Sequence, residues 1–213
     1  MSTQGTVHVV DDDPAIRNAL TASLELRGLV VENYESAEDF LRSYQDNKIG
    51  CLVLDISMSG INGLELQEIL AEKNHNIPII FVSGHGDVPM SVQALKNGAI
   101  DFLEKPYRQE ILHDRIEQAL DQSKILRQKS AELASYNERI NRLSPREKQV
   151  LAMLATDNAN TSNKKIAEAL DISHRTVEDH RAKIMLKMQA NSLYELITMV
   201  KSASSVQLKP QNT

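Results

Sequence analysis

The sequence predicts two folded parts in tandem, an α/β domain with a parallel sheet followed by a small all-α domain. In the front half, five short runs rich in β-branched residues alternate with five amphipathic helical patterns. Such alternation predicts a sheet of parallel strands that is covered by helices on both faces. After the fifth strand run only helical patterns follow, and this change of pattern indicates the second domain.

The predicted elements of the front half follow one another at short spacing. The strand runs cover residues 6–10, 29–32, 51–55, 77–83 and 100–103, and the helical patterns cover residues 14–27, 37–44, 63–72, 88–97 and a segment after Pro106. Asp13 before Pro14 suits an N-cap and a first helical turn, and Ser36 followed by Asp39 resembles a capping box. We expect a flavodoxin-like (βα)5 fold with the strand order 2-1-3-4-5.

The back half is predicted to be helical. Residues 107–144 contain neither glycine nor proline and keep apolar residues at roughly helical spacing, which predicts a fifth helix that continues as a linker. Two helices broken near residues 121–123 are the alternative. Further helical patterns cover residues 145–155, 163–170, 173–189 and 192–201. The tail at residues 204–213 is predicted to be disordered.

The charge of the chain changes sign along its length. Residues 1–122 carry 20 acidic and 9 basic side chains, a net of −11, whereas residues 123–213 carry 9 acidic and 15 basic ones, a net of +6. Opposite net charges indicate two domains with different partners.

Composition argues against several classes of protein. No apolar run approaches the length of a membrane span, and the first residues lack the basic start of a signal peptide. The single Cys51 excludes a disulfide framework. We therefore expect a cytoplasmic protein that makes no membrane contact.

A cluster of carboxylates follows the first predicted strand. Asp11 and Asp12 follow that strand and Asp55 ends the third, and in the expected strand order these carboxylates converge at the carboxyl edge of the sheet. Clustered oxygen ligands suit Mg²⁺, which offsets their mutual repulsion. Ser83 and Lys105 end the fourth and fifth strand regions. A metal, a carboxylate, a hydroxyl and an ammonium are together suited to phosphoryl transfer.

Residues 3–122 resemble the receiver domain of two-component response regulators. The resemblance rests on the acid pair and on the segments "LVLDISMSG", "FVSGHGD" and "DFLEKP". It implies that Asp55 is the phosphoacceptor. It also implies that Asp12, Asp55 and the backbone carbonyl of Ser57 hold Mg²⁺, with Asp11 contributing mainly through water.

The same resemblance implies three residues that respond to the phosphoryl group. Ser83 would be the switch hydroxyl, Phe102 the switch aromatic and Lys105 the ammonium that holds phosphoryl oxygens. One position departs from the family, which usually has proline after Met58, where this chain has Ser59. The serine frees the loop locally but removes no side chain from the chemistry.

The segment "KKIAEALDISHRTVEDHRAKI" contains a short helical pattern, a tight turn near residues 171–173 and a longer basic helical pattern. This arrangement is typical of a helix-turn-helix, which places its second helix in the major groove of DNA. Ser173 suits the N-cap of that second helix. A small helical interaction domain is the alternative.

The region also resembles the LuxR-type DNA-binding domain, through the segments "LSPREKQVL", "NKKIA" and "RTVEDHRAKI", and the whole chain resembles FixJ/NarL-type transcription factors. By position, the resemblance implies a recognition helix that begins with the stretch from Thr176 to Lys183. It implies that base edges face Glu178, Asp179 and Ala182 and that phosphates meet Lys164, Lys165, Arg175, Arg181 and Lys187.

Two features of this region depart from the resemblance. The segment "TDNANTSNKK" is longer than the usual turn of the family and lacks its glycine. Asp179 puts a negative charge toward the groove, and we expect it to pair instead with Lys183 at spacing i, i+4.

These observations predict a receiver domain at residues 1–122, a helical linker at 123–141, a DNA-binding domain at 142–203 and a tail at 204–213. We expect a Mg²⁺-dependent response regulator, not an enzyme beyond its own phosphorylation and dephosphorylation. Its expected partners are a sensor histidine kinase, double-stranded promoter DNA, RNA polymerase and, on phosphorylation, a second copy of the chain. The alternatives are a phospho-dependent interaction module without DNA binding and a phosphohydrolase that turns over an aspartyl-phosphate.

Overall fold

The computed structural model describes residues 5–45, 48–84, 88–156 and 162–207. The chain divides into two compact units, Met1–Gln128 and Lys129–Thr213. Each unit contains its own hydrophobic core, so each is described separately.

The first unit is built on five parallel strands in the order β2-β1-β3-β4-β5. The predicted fold class and strand order are therefore confirmed. The strands are β1 Thr6–Val10, β2 Val30–Tyr34, β3 Gly50–Asp55, β4 Ile79–Ser83 and β5 Asp101–Glu104. Every residue of the central strand β3 is buried, because helices cover both faces of a parallel sheet.

Five helices follow these strands. They are α1 Pro14–Glu25, α2 Ala37–Ser43, α3 Gly63–Glu72, α4 Val88–Lys96 and α5 Gln109–Asn141. The predicted caps form, since the Asp13 carboxylate accepts from the backbone N–H of Ala15 at 2.8 Å and the Ser36 hydroxyl accepts from that of Asp39 at 3.1 Å.

The two faces of the sheet carry two separate cores. Side chains alternate along a strand, so Leu52 and Leu54 of β3 pack into one core while Cys51 and Val53 pack into the other. All four are fully buried. The sheet is thus fixed on both sides, which gives its carboxyl edge a defined geometry.

Helix α5 runs without a break through residues 121–123, where the alternative placed an interruption. Ser123, a polar residue on the buried face, is only 4% exposed, and its hydroxyl accepts a hydrogen bond from the Gly50 backbone N–H at 3.1 Å. One turn later Arg127 Nε donates to the Lys48 carbonyl at 3.1 Å. These two bonds connect α5 to the start of β3 and satisfy backbone groups there.

The second unit contains four further helices, α6 Pro145–Thr156, α7 Asn163–Leu170, α8 His174–Met188 and α9 Leu193–Gln207. Their apolar faces meet in one core around Val150, Ile166 and Ile184, each fully buried. Asp171 at the end of α7 adopts a left-handed conformation, with φ of 50°, and Ser173 caps α8 through the Thr176 N–H at 3.0 Å.

The end of the chain differs from the prediction. Helix α9 continues to Gln207, four residues into the segment expected to be disordered, because no glycine or proline interrupts it before Pro210. The prediction for residues 208–213 lies outside the described residues. In the part of the chain that the structure describes, no helix is long and apolar enough to cross a membrane.

The bond between Ser123 and β3 predicts a measurable cost of its removal. Ser123→Ala leaves the buried Gly50 N–H without this acceptor, so we expect the free energy of unfolding to fall by about 1–2 kcal/mol. Equilibrium urea unfolding of the full chain measures this change. Ser130→Ala, at an exposed serine of the same helix, controls for helix propensity, and equal losses in both variants would contradict the assignment.

Candidate functional site

Three carboxylates and one ammonium meet at the carboxyl edge of the sheet. Asp11 and Asp12 follow β1, and Asp55 ends the neighbouring strand β3. Lys105, which follows β5, places its Nζ 2.9 Å from Asp11 Oδ2 and 2.9 Å from Asp55 Oδ1. The strand order thus brings together four residues that lie up to 94 positions apart in the sequence.

Each carboxylate also accepts a hydrogen bond from the backbone. The N–H of Asp13 donates to Asp11 Oδ1 at 2.9 Å, and that of Ser57 donates to Asp55 Oδ2 at 2.9 Å. The Asp12 carboxylate accepts from the N–H of Ser59 at 3.1 Å. Backbone donors of this kind orient the carboxylate oxygens.

Burial and charge act in opposite directions on this cluster. Asp11 and Asp55 are 2% and 6% exposed, whereas Asp12 is exposed. Burial raises the pKa of Asp55, and the hydrogen bond from Lys105 offsets part of that rise. Burial alone would lower the pKa of Lys105, but its hydrogen bonds to Asp11 and Asp55 outweigh this and raise it. The ammonium therefore stays charged and neutralises part of the acidic cluster.

A close helix start also fixes the position of Asp55. A Cβ on Gly63, the first residue of α3, would lie 2.4 Å from the Asp55 carbonyl oxygen and 3.0 Å from the Ile56 Cα. No side chain fits there, so α3 begins directly against the end of β3. The Gly63 N–H donates to the Ile56 carbonyl at 3.1 Å, which closes the loop between the two elements.

The donor set at this edge is made of oxygen atoms. Asp11 and Asp55 share the Lys105 ammonium, Asp12 accepts from the Ser59 N–H, and Ser57, whose carbonyl was predicted as a ligand, lies in the same loop after Asp55. Hard divalent cations such as Mg²⁺ prefer carboxylate and carbonyl oxygens. The residues present therefore fit that cation.

The two predicted switch residues lie on the adjacent strands. Ser83 is the last residue of β4 and is fully buried, and its carbonyl accepts from the Lys105 N–H at 2.8 Å. Phe102 of β5 is half-buried and packs beside Phe81, with ring centroids 6.4 Å apart. Ser83 thus lies at the edge that carries Asp55, and Phe102 lies two residues before that edge on β5.

The predicted DNA-binding residues divide into an exposed and a bonded group. Seven of the ten have exposed side chains: Lys164, Lys165, Arg175, Glu178, Asp179, Ala182 and Lys183. The other three, Thr176, Arg181 and Lys187, are half-buried and bonded within the domain. Arg181 Nη1 donates to Asn163 Oδ1 at 2.5 Å, and the Thr176 hydroxyl lies 2.8 Å from that of Ser173.

Lys187, predicted to meet a phosphate, pairs instead with a buried acid. Its Nζ lies 2.7 Å from Oε2 of Glu147, which is 3% exposed. Burial would raise the pKa of Glu147, but hydrogen bonds from Lys187 and Ser144 outweigh it and lower that pKa. Sequence reasoning missed Glu147, although Ser144 followed by Glu147 is the spacing of a capping box, and both reciprocal bonds form.

The prediction that Asp179 pairs with Lys183 is wrong. In the part of the chain that the structure describes, no ion pair joins these two residues. Glu178 instead lies 3.5 Å from His174 Nδ1. Exposed pairs at this spacing contribute little, so side-chain entropy can leave one of them unformed. Of the lengthened segment before α7, residues 157–161 lie outside the described residues.

Comparison with known proteins gives matches over both units. The response regulator receiver domain family matches residues 7–117, and the luxR family of bacterial regulatory proteins matches residues 141–200. The chain is 41% identical over 203 residues to the transcriptional regulatory protein FixJ of Bradyrhizobium diazoefficiens, which covers 95% of this chain and 98% of that protein. It is 44% identical to FixJ of Rhizobium meliloti over 92% of this chain and 95% of that protein. The chain belongs to the FixJ-type response regulators.

Solved structures agree with this family. The response regulator StyR has a TM-score of 0.81 and 41% identity and covers 92% of this chain and 98% of its own. Full-length FixJ from B. japonicum has a TM-score of 0.55 and 40% identity and covers 96% of this chain and 99% of its own. This response regulator thus combines a receiver domain with a LuxR-type DNA-binding domain that regulates transcription.

The pair between Lys187 and Glu147 predicts a structural role for Lys187 in the response regulator. Lys187→Ala leaves a buried carboxylate without its cationic hydrogen-bond donor, so we expect the free energy of unfolding to fall by about 2 kcal/mol. Lys183→Ala, at an exposed lysine of the same helix, should change it by less than about 0.5 kcal/mol.

The cost of Lys187→Ala should also depend on pH. The pKa of Glu147 in the folded protein lies below its ordinary value. The stabilisation from the pair between Glu147 and Lys187 is therefore present at neutral pH and is lost as the pH falls through the folded-state pKa of Glu147. Denaturant unfolding at several pH values measures both effects. Equal stability of the two lysine variants at neutral pH would show that Lys187 is not structural.

Proposed function

We propose that Asp55 accepts a phosphoryl group from a phosphohistidine of a sensor histidine kinase. The observation that carries this proposal is the bridge from Lys105 Nζ to both Asp11 and Asp55, each at 2.9 Å. An Asp55 carboxylate oxygen attacks phosphorus, the phosphorus–nitrogen bond of the donor breaks, and the nitrogen leaves with its electron pair and takes up a proton. Lys105 then moves from the carboxylates to the phosphoryl oxygens, which carry more negative charge.

The charge balance of the cluster supports a divalent cation as cofactor. Three carboxylates carry three negative charges against the one positive charge of Lys105, so two negative charges remain without a counter-charge. Asp12, Asp55 and the Ser57 carbonyl would hold Mg²⁺, with Asp11 contributing mainly through water. The cation supplies charge neutralisation between the acids and the incoming phosphoryl oxygens.

We propose that the phosphoryl group then shifts the receiver between two states. The Ser83 hydroxyl is drawn to the phosphoryl oxygens, Phe102 turns inward, and the face formed by α4 and β5 forms a homodimer. Four apolar side chains support this interface, since Val88, Met90, Val92 and Leu95 of α4 are 75%, 38%, 42% and 46% exposed. The change is a population shift between existing conformations.

Two rival functions have less support. A phosphohydrolase of the haloacid-dehalogenase type needs a second carboxylate two residues after the nucleophile, and Ser57 stands there. We therefore propose no enzymatic turnover beyond self-phosphorylation and self-dephosphorylation. A module without DNA binding disagrees with the match of the second unit to the luxR family. We propose promoter DNA and RNA polymerase as partners and, with them, a cytoplasmic location.

Substitution of the phosphoacceptor gives a direct test. Asp55→Asn should abolish incorporation of phosphate from a small phosphodonor, because an amide is not a nucleophile of this kind, and radiolabelling or mass spectrometry measures the loss. Lys105→Ala should keep labelling but weaken the response to it. Asp13→Asn, which keeps the N-cap of α1, is the matched control and should label normally; undiminished labelling of Asp55→Asn would exclude Asp55 as the acceptor.

The exposed residues of the second unit lead to a prediction of which side chains contact DNA phosphates and which contact bases. Lys165, in the first turn of α7, is exposed, which suits a phosphate contact. Glu178 of α8 is also exposed, and we propose that it accepts a hydrogen bond from a cytosine amino group. Lys165→Ala should weaken binding to all sequences alike and flatten its salt dependence, while Lys148→Ala on α6 should not. Glu178→Ala should relax the preference at one base pair by about 1–3 kcal/mol.

A randomised-site selection and a salt titration measure these effects. An unchanged binding motif in Glu178→Ala would show that the recognition helix is placed wrongly. If Lys165→Ala and Lys148→Ala change DNA affinity and its salt dependence equally, the proposed phosphate contact of Lys165 on α7 is wrong.

A further inference from the structure

The three carboxylates of the acidic site differ in how the backbone holds them. Asp11 and Asp55 each accept from the N–H two residues further along their own loops, at 2.9 Å in both cases. Asp12 accepts from Ser59, which lies 47 positions away in the loop between β3 and α3. The contact at Asp12 therefore joins two loops, whereas the other two contacts lie within one loop.

The Asp12 side chain is held by fewer contacts than the side chains of Asp11 and Asp55. Asp11 and Asp55 are buried and also bind Lys105. Asp12 is exposed, and within the described residues the Ser59 N–H is its one hydrogen-bond partner. Without that donor, the described contacts would leave the Asp12 side chain free to rotate.

The loop that carries Ser59 is fixed on both sides of it. The Ile61 N–H donates to Glu38 Oε1 at 3.4 Å, and the Gly63 N–H donates to the Ile56 carbonyl at 3.1 Å. Ser57, whose carbonyl is a proposed ligand of Mg²⁺, lies two residues before Ser59 in the same loop. The Ser59 N–H therefore connects Asp12, the proposed side-chain ligand in the loop after β1, to the loop after β3, in which Ser57 offers its backbone carbonyl.

A proline in this position could not make the contact, because proline has no backbone N–H. The receiver family usually has proline there, so the bond is a feature of this chain. We propose that Ser59 is a positioning residue whose backbone N–H holds the Asp12 carboxylate against the loop after β3 and so prepares Asp12 and Ser57 to bind Mg²⁺. This inference rests on the proposed function of the site.

The expected effect follows from the general role of donors that orient metal ligands. Hydrogen bonds to ligating carboxylates fix their orientation, and their loss commonly weakens metal binding by an order of magnitude. The contact here is exposed, so Ser59→Pro should raise the dissociation constant for Mg²⁺ by about threefold to tenfold. Ser59→Ala keeps the N–H and should bind Mg²⁺ like the original chain.

Isothermal titration calorimetry of the full chain with Mg²⁺ tests this inference, with unfolding temperatures recorded in the absence of metal. The positioning role is supported if Ser59→Pro binds Mg²⁺ more weakly and Ser59→Ala does not, with no lower unfolding temperature for Ser59→Pro. Equal or tighter binding by Ser59→Pro overturns this inference and leaves the proposed function intact. Absence of Mg²⁺ binding by the unsubstituted chain overturns both.

Amide hydrogen exchange of the metal-free protein tests the bond itself and does not require the proline variant to fold. The Ser59 amide should exchange more slowly in the unsubstituted chain than in Asp12→Ala. Equal exchange rates would show that the bond does not hold Asp12 in solution, and the inference would then be wrong.

Discussion

The bridge from the Lys105 ammonium to Asp11 and Asp55 is the interaction on which the receiver site depends. Two buried carboxylates beside a third would repel one another, and a shared ammonium at 2.9 Å from each of the two makes their proximity tolerable. The same bridge defines the reactive position, because Lys105 holds Asp55 at the edge of the sheet. A phosphoryl group and a divalent cation would change the partners of every member of this cluster at once.

The fold gives this interaction its precision. Asp55 ends a strand whose every residue is buried, and α3 begins so close to it that only glycine fits at position 63. Ser83 and Phe102 lie on β4 and β5, so in the proposed switch a change at Asp55 would pass across neighbouring strands toward α4. At the opposite edge, Ser123 and Arg127 bond the start of β3 to α5. The central strand thus connects the acidic site at one end with the long helix at the other.

Local patterns predicted most of the fold, and long-range polar contacts account for what they missed. Alternating strand and helix patterns predicted a parallel α/β sheet, and the expected order 2-1-3-4-5 explains why the sequence could group Asp11, Asp12, Asp55 and Lys105 into one site. Periodicity could not show that Ser123 bonds to Gly50, because a serine on an apolar helix face has no sequence signal for its partner. Lys187 is similar, since a basic helix near DNA suggests phosphate contact until Glu147 is found buried beneath it.

We propose that phosphorylation of Asp55 controls DNA binding by the second domain. Gel-shift titration of the full chain on promoter DNA, with and without beryllofluoride and Mg²⁺, tests it most directly because beryllofluoride mimics the phosphoryl group without turnover. We expect tighter DNA binding with beryllofluoride in the unsubstituted chain and no change in Asp55→Asn. Equal affinity with and without beryllofluoride in the unsubstituted chain would contradict it.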